Sequence, residues 1–171
     1  MIKLILLRHA KAVRDDPAGD HARGLIQRGR DDARNAGLWL REHALNPEIA
    51  LVSDARRTRE TMEALLPHFA RPPHARVDPT LYLAEPETLL KALRAIPQGV
   101  RTALLVAHNP GIAELAVALA GAGERRDLAD MAHAFPTASF AILNFEKDWR
   151  DIGELDGRLE RFITARSLRT V

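Results

Sequence analysis

The chain has 171 residues, of which 46% are hydrophobic and 28% are charged, enough apolar surface for one packed domain with the charge content of an ordinary globular protein. It contains no cysteine, which excludes disulfide frameworks, thiolate catalysis and cysteine-based metal sites. The formal net charge is only +2, and the basic residues are interleaved with acidic ones instead of forming a one-sided stripe, so we predict no nucleic-acid partner.

Short apolar runs alternate with longer amphipathic segments along the chain, which is typical of an α/β domain. The first run, Lys3–Leu7, is nearly all apolar, as in a strand covered on both faces, and it ends far short of the ~18 residues that cross a bilayer. The spacing of apolar residues then predicts, in order, a helix at 29–43, a strand at 49–52, helices at 57–69 and 86–96, a strand at 102–107, a helix at 111–120, and strands at 139–145 and 158–163. We therefore predict a single domain over residues 1–171, with no membrane partner and a cytoplasmic location.

Two of the predicted strands end at a histidine. His9 follows the first strand directly after Arg8, and His108 follows the strand at 102–107. Ligands of open α/β sheets bind beyond the carboxyl ends of the strands, so position alone predicts a ligand site at these histidines. A guanidinium group matches phosphate in a bidentate manner, and a neutral imidazole forms covalent intermediates. A lone Arg-His pair is nevertheless a weak signal, because so short a motif recurs by chance.

Three longer segments together resemble the histidine phosphatase (phosphoglycerate-mutase-like) superfamily. Leu6–Ala10 resembles its Arg-His-Gly signature, with alanine where many members have glycine. Ser53–Thr61 resembles the stretch Ser-Pro-x-x-Arg-x-x-Gln-Thr, and Leu104–Asn109 resembles the strand that ends in the second catalytic histidine. The three segments occur in the family's order, and each follows or contains a predicted strand, which makes the combined match specific.

The second segment departs from the family pattern at two positions. Asp54 stands where the family has proline, and Glu60 stands where it has glutamine. Aligning Glu60-Thr61 with Gln-Thr places the family's second phosphate-binding arginine at Arg57. Arg56 stays open as the alternative.

Within the superfamily, the chain resembles the short, SixA-like phosphohistidine phosphatases from residue 2 to about residue 168. The segments that carry this resemblance are Arg8-His9-Ala10-Lys11-Ala12, Leu81-Tyr82-Leu83-Ala84, His108-Asn109-Pro110-Gly111 and Phe135-Pro136-Thr137. The resemblance implies an α/β fold with a mainly parallel central sheet flanked by helices on both faces, and neither a cofactor nor a metal. The chain has no room for the long insertions that cover the site of larger members, so we expect an open site that suits a phosphorylated protein.

The resemblance also implies catalytic roles. His9 is expected to attack phosphorus and to carry the phosphoryl group covalently until water releases it. Arg8, Arg57 and His108 are expected to hold the equatorial oxygens, with His108 cationic against the phosphate. Further candidates for contact with phosphate or substrate are Lys11, Arg23, Asn109 and Glu85.

The general acid is the weakest part of the catalytic set. Many members supply a glutamate between the second and third motifs, and Glu85 lies in that interval, but the residues around it do not resemble the family's motif. An ester needs a protonated leaving group, whereas imidazole leaves readily from a phosphoramidate once it is protonated. We therefore expect phosphomonoesters to be poor substrates if no acid is present.

The sequence thus predicts a metal-independent phosphatase that acts on phosphohistidine of a partner protein. A phosphomonoesterase for a small phosphorylated metabolite stays open, and an acid near His9 would favour it. A phosphate- or phosphoprotein-binding module without turnover is the third hypothesis, although binding alone needs no nucleophile. The other histidines, at positions 21, 43, 68, 74 and 133, are predicted to be surface or structural residues, because their spacing fits no metal site. Gly29 is predicted to serve the geometry of the first helix.

Overall fold

The computed structural model describes residues 1–169, in which strands and helices alternate along most of the chain. The strands are β1 (Ile2–Arg8), β2 (Ile49–Ser53), β3 (His74–Asp78), β4 (Thr102–Ala107), β5 (Ala120–Gly123), β6 (Phe140–Phe145) and β7 (Gly157–Ile163). The helices are α1 (Gln27–Glu42), α2 (Arg56–Leu65), α3 (Pro86–Arg94), α4 (Gly111–Leu119), α5 (Arg125–His133) and α6 (Ala165–Arg169). Short 3₁₀ turns lie at Asp20–Ala22, Leu66–His68, Pro79–Leu81 and Trp149–Asp151. Positions 170–171 of the predicted domain lie outside the described residues.

All seven strands belong to one sheet, in the order β3-β2-β4-β1-β6-β7-β5. The four strands from β3 to β1 are parallel to one another, and β5 is parallel to β7. β6 runs antiparallel to both of its neighbours, β1 and β7. The prediction of a single α/β domain with a mainly parallel sheet is therefore confirmed.

Helices cover both faces of this sheet. On one face, α3, α4 and α5 pack through buried residues such as Leu93 and Leu115. On the other face lie α1, α2 and α6. α1 forms an amphipathic helix because Ala33, Ala36 and Leu40 recur three and four residues apart, and all three are fully buried. β1, with apolar residues on both faces, lies at the centre of the sheet, which places the residues that follow it at the middle of the sheet edge.

The structure differs from the sequence prediction at a few elements. The helix predicted to end at residue 69 ends at Leu65 and continues as a 3₁₀ turn to His68, because Pro67 has no N–H with which to continue the α-helical ladder. β3, β5, α5 and α6 were not predicted. Within residues 1–169, no helix is long and apolar enough to cross a membrane.

Candidate active site

The register of the two central strands brings the two predicted histidines together. β1 and β4 are parallel neighbours in which Arg8 is paired with Ala107, so the next residues, His9 and His108, leave the sheet side by side. The backbone N–H of His9 donates to the carbonyl of Ala107 at 3.1 Å, and the two imidazole rings are 5.3 Å apart between centroids. Both side chains are buried, with 6% and 2% of the residue exposed. The sheet itself therefore positions the pair.

The ring of His9 is held in one tautomer. Its Nδ1 lies 2.8 Å from the carbonyl oxygen of Ala10, which can only accept, so Nδ1 carries the proton and Nε2 keeps its lone pair. Arg57 Nε donates to this Nε2 at 3.3 Å. Burial lowers the pKa of His9 to about 4, and the positive charges of Arg57, Arg8 and Arg23 act in the same direction. His9 is therefore a neutral imidazole at neutral pH, the form in which imidazole is a nucleophile, and its Nε2 lone pair accepts the hydrogen bond from Arg57.

His108 is held by a serine at the end of the adjacent strand. Its Nε2 lies 2.7 Å from the hydroxyl of Ser53, which is fully buried. Burial is the main reason that the pKa of His108 is lowered to about 3, and the charge of Arg57 contributes. His108 is thus neutral in the free protein, because burial removes the water that would stabilise the charge, and a cationic His108 against a bound phosphate stays a prediction. Ser53 was not predicted to have a role, although it opens the second motif.

Arg57 is the arginine that α2 directs toward His9. Its side chain is 3% exposed, whereas that of Arg56 is 55% exposed and pairs with Glu60 at 2.7 Å. Arg57 also donates from Nη1 to the carbonyl of Asp20 at 2.9 Å and from Nη2 to its carboxylate at 3.1 Å. Arg57 is therefore the arginine in contact with His9, which favours it over Arg56, and its contact with phosphate stays a prediction.

We call the group of Arg8, His9, Arg57 and His108 the cluster. Asp20 is a carboxylate in contact with it that was not predicted from the sequence. Its Oδ1 accepts from Arg23 Nη1 at 2.7 Å, and its Oδ2 accepts from Arg57 and from the hydroxyl of Tyr82. The hydrogen bond from Tyr82 and those from the two arginines hold the pKa of Asp20 well below its usual range. The ring of Tyr82 lies edge-on to that of His108, with centroids 5.5 Å apart, and burial raises the pKa of its hydroxyl. Asp20 is therefore an ionised carboxylate that joins Arg23, Arg57 and Tyr82.

Arg8 and Asn109 meet at one backbone carbonyl. Arg8 Nη1 and Asn109 Nδ2 both donate to the carbonyl oxygen of Phe135, at 3.1 and 2.9 Å. Arg8 Nε and His108 Nδ1 are buried and have no hydrogen-bond partner among residues 1–169. Unpaired buried polar atoms are costly, so two of them on the residues flanking the His9 ring indicate a place for an anion.

Two of the predicted contact residues do not join this cluster. Lys11 is exposed and its side chain makes no hydrogen bond or ion pair with the described residues. Glu85 is exposed at the residue before α3, where its side chain caps nothing. Arg23, by contrast, is tied to the cluster through Asp20. The described part of the chain also contains no group of three or more His, Cys, Asp or Glu residues that could hold a metal.

Comparisons with known proteins give the family. The model of the histidine phosphatase superfamily (branch 1) matches residues 4–81, which include His9 and Arg57 but not His108. A Mycobacterium leprae (strain TN) protein of uncharacterised function is 38% identical over 151 residues, which are 85% of this chain and 91% of that protein. Phosphohistidine phosphatase SixA of Escherichia coli (strain K12) is 30% identical over 120 residues, which are 69% of this chain and 74% of that protein.

Solved structures agree with this relationship. The putative phosphohistidine phosphatase SixA from Nakamurella multipartitia has a TM-score of 0.82 and 28% identity, and the match covers 95% of each chain. The putative phosphohistidine phosphatase SixA from Agrobacterium tumefaciens has a TM-score of 0.80 and 28% identity, over 95% of this chain and 97% of that one. The predicted phosphoglycerate-mutase-like fold and the SixA-like resemblance are therefore confirmed. The chain belongs to the histidine phosphatase superfamily.

Proposed function

We propose that this phosphatase removes the phosphoryl group from phosphohistidine on a partner protein, through a covalent phospho-His9 intermediate. Phosphatase activity follows from the family, and one observation supports the substrate class. Among the described residues, the cluster contains a nucleophilic nitrogen without a proton and several donors, but no protonated carboxyl group. Within residues 1–169, the carboxylate that contacts it is Asp20, which is ionised, whereas Glu85 is exposed and contacts none of its members.

The first step transfers the phosphoryl group to His9. The lone pair of His9 Nε2 attacks phosphorus in line, while the P–N bond of the substrate breaks and its electron pair stays on the departing imidazole. His9 Nδ1 keeps its proton and its hydrogen bond to the Ala10 carbonyl. This hydrogen bond stabilises the positive charge that the ring acquires. Arg8, Arg57 and His108 stabilise the charge on the equatorial oxygens, in the way that preorganised donors do in phosphoryl transfer.

The second step returns the free enzyme. Water attacks phospho-His9, the P–Nε2 bond breaks, and its electron pair returns to Nε2 as the lone pair. The proton that the water loses ends on the released orthophosphate. Because His9 Nδ1 keeps its proton throughout, the ring leaves phosphorus as a neutral imidazole and no external acid is needed.

Within residues 1–169, no protonated carboxyl group contacts His9, which disfavours a phosphomonoesterase. The alcohol group of a phosphomonoester leaves as an alkoxide unless another group donates a proton to it. Hydrolysis of a small metabolite ester would therefore be slow at this site. Imidazole protonated on its other nitrogen leaves as a neutral molecule. The tautomer of His9 disfavours a pure binding module, since binding needs no Nε2 lone pair aimed into the donor cluster.

A trapping experiment tests the proposal. The protein is mixed with a polypeptide that carries ³²P-phosphohistidine, quenched, and tested for acid-labile, alkali-stable label, with His9→Ala and the exposed His74→Ala treated alongside. We expect label on the native protein and on His74→Ala, mapped to His9 by peptide analysis, and none on His9→Ala. If the native protein takes no label and releases no phosphate, the proposed function is wrong. The cytoplasmic location and the absence of a nucleic-acid partner stay predictions from the sequence.

A further inference from the structure

Arg57 connects the nucleophile to Asp20. One end of its guanidinium, Nε, donates to His9 Nε2, and the other end donates to the carboxylate and carbonyl of Asp20. In an in-line displacement the attacking and leaving atoms lie on opposite sides of phosphorus. Asp20 lies at the end of the guanidinium away from His9 Nε2, so a phosphoryl group that displaces Arg57 Nε from Nε2 brings its leaving group near Asp20 if it extends along Arg57.

Asp20 has the capacity to bind that leaving group. An ionised carboxylate offers about four acceptor positions on its two oxygens. Three are used, by Arg23, Arg57 and Tyr82. The side chain is 45% exposed, so the remaining position is accessible from solvent. Tyr82 and the two arginines hold the carboxylate in place.

We propose that Asp20 recognises the leaving imidazole of phosphohistidine, by accepting a hydrogen bond from the ring nitrogen that is not bonded to phosphorus. This inference rests on the proposed function and makes Asp20 its specificity-determining residue. The bond keeps that nitrogen protonated while the P–N bond breaks, and the electron pair of the broken bond remains on the other nitrogen. The product is neutral imidazole, still bonded to Asp20 through its N–H.

The arrangement would be the same on both sides of phosphorus. The carbonyl of Ala10 keeps the attacking ring of His9 protonated on Nδ1, and Asp20 does the same for the departing ring. The same carboxylate disfavours phosphoesters, because an ester oxygen gains negative charge as it leaves and has no N–H to donate. Asp20 thereby selects phosphoramidates whose leaving group carries an N–H.

The test compares two substrates in variants of one loop. Asp20→Asn removes the charge, and Asp15→Asn makes the same change at an exposed residue whose side chain has no hydrogen bond or ion pair within residues 1–169. With a phosphohistidine peptide we expect Asp20→Asn to lower kcat/KM by about 10- to 100-fold, the effect of one hydrogen bond to a charged group. With p-nitrophenyl phosphate, whose leaving group has no N–H, we expect a smaller loss that reflects only the weaker orientation of Arg57, so the ratio of the two kcat/KM values should fall. Asp15→Asn should match the native protein with both substrates.

A structural role for Asp20 gives a different result. If Asp20 only orients Arg57, Asp20→Asn lowers kcat/KM by the same factor for both substrates, and this result, or no change with the phosphohistidine peptide, overturns the inference. Asp20→Glu, which keeps the carboxylate, should recover part of the phosphohistidine activity, and Asp20→Ser replaces Asp20→Asn if that variant does not fold. A native protein that hydrolyses p-nitrophenyl phosphate but not the phosphohistidine peptide shows instead that the proposed function itself is wrong.

Discussion

The hydroxyl of Thr61 accepts a hydrogen bond from the backbone N–H of Ala10 at 2.9 Å, across 51 residues of sequence. The same hydroxyl donates to the carbonyl of Arg57 at 2.6 Å. Ala10 follows the nucleophile His9, so one buried side chain joins the segment of the nucleophile to the helix that carries its arginine. Thr61, which aligns with the threonine of the family's Gln-Thr pair, thus has a structural role: it fixes the separation of His9 and Arg57.

We predict that Thr61→Val lowers the free energy of unfolding by about 1–3 kcal/mol, because valine keeps the volume but leaves the buried N–H of Ala10 without an acceptor. kcat/KM should fall as well, since His9 loses its fixed distance from Arg57. Urea unfolding measures the first effect. Thr88→Val, at an exposed position on α3, is the matched control and should change neither quantity. Equal stabilities of the two variants would show that the hydrogen bond contributes nothing.

The two adjacent arginines of α2 give a sharp pair of variants. Arg57→Ala should lower kcat/KM by ~10²–10³-fold, as the loss of one preorganised donor does at other active sites. Arg56→Ala should leave kcat/KM near the native value, because an exposed ion pair such as that with Glu60 contributes at most ~1 kcal/mol. Steady-state kinetics on both purified variants decide the matter. A larger loss for Arg56→Ala would reverse the assignment.

The sequence predicted the parts of the fold that are buried. β1 and β4 are nearly all apolar, and their predicted bounds agree with the structure to within one residue. β3 was missed because it is an edge strand whose residues are mostly exposed, so it has no alternating apolar pattern. β5 has four small residues, and α5 buries only Met131, which leaves too little periodicity for a prediction.

Site residues that lie in short sequence motifs were predicted. A site residue whose contacts are far away in the sequence was missed. His9, Arg57 and His108 follow strands and occur in recognisable motifs. Asp20 lies in a loop with other acidic residues, and nothing in its neighbourhood distinguishes it from Asp16. Two of its three partners, Arg57 and Tyr82, are 37 and 62 residues further along the chain, so only the folded structure brings them together.

Stability should depend on pH through the two buried histidines. The pKa of His9 is lowered to about 4 and that of His108 to about 3, whereas a histidine in the unfolded chain titrates near ~6.5. Between these values the unfolded chain binds more protons than the folded protein, so the free energy of unfolding falls as the pH falls from about 6.5 toward 4. His9→Gln should weaken this dependence, and the exposed His74→Gln should not. Urea unfolding at a series of pH values measures it, and equal pH dependence in both variants would contradict the burial argument.

Gly29 lies directly against the backbone of the segment that follows the nucleophile. A Cβ at this position would lie 2.0 Å from the carbonyl oxygen of Lys11, which is backbone and cannot move without displacing Ala10 and His9. Gly29 therefore serves a close approach between α1 and this segment, in addition to the helix geometry that the sequence predicts.

Alanine normally stabilises a helix interior by ~0.5–1 kcal/mol relative to glycine, so the sign of the effect tests this contact. Gly29→Ala should lower the free energy of unfolding and kcat/KM together. Gly37→Ala, in the same helix, is the matched control, because its Cβ would meet only the side chain of His68 at 2.8 Å, which can move away. We therefore expect Gly37→Ala to change stability less and to leave kcat/KM unchanged. Urea unfolding and steady-state kinetics on both variants measure the difference, and a Gly29→Ala protein as stable and active as the native one would mean that the close approach does not constrain the nucleophile.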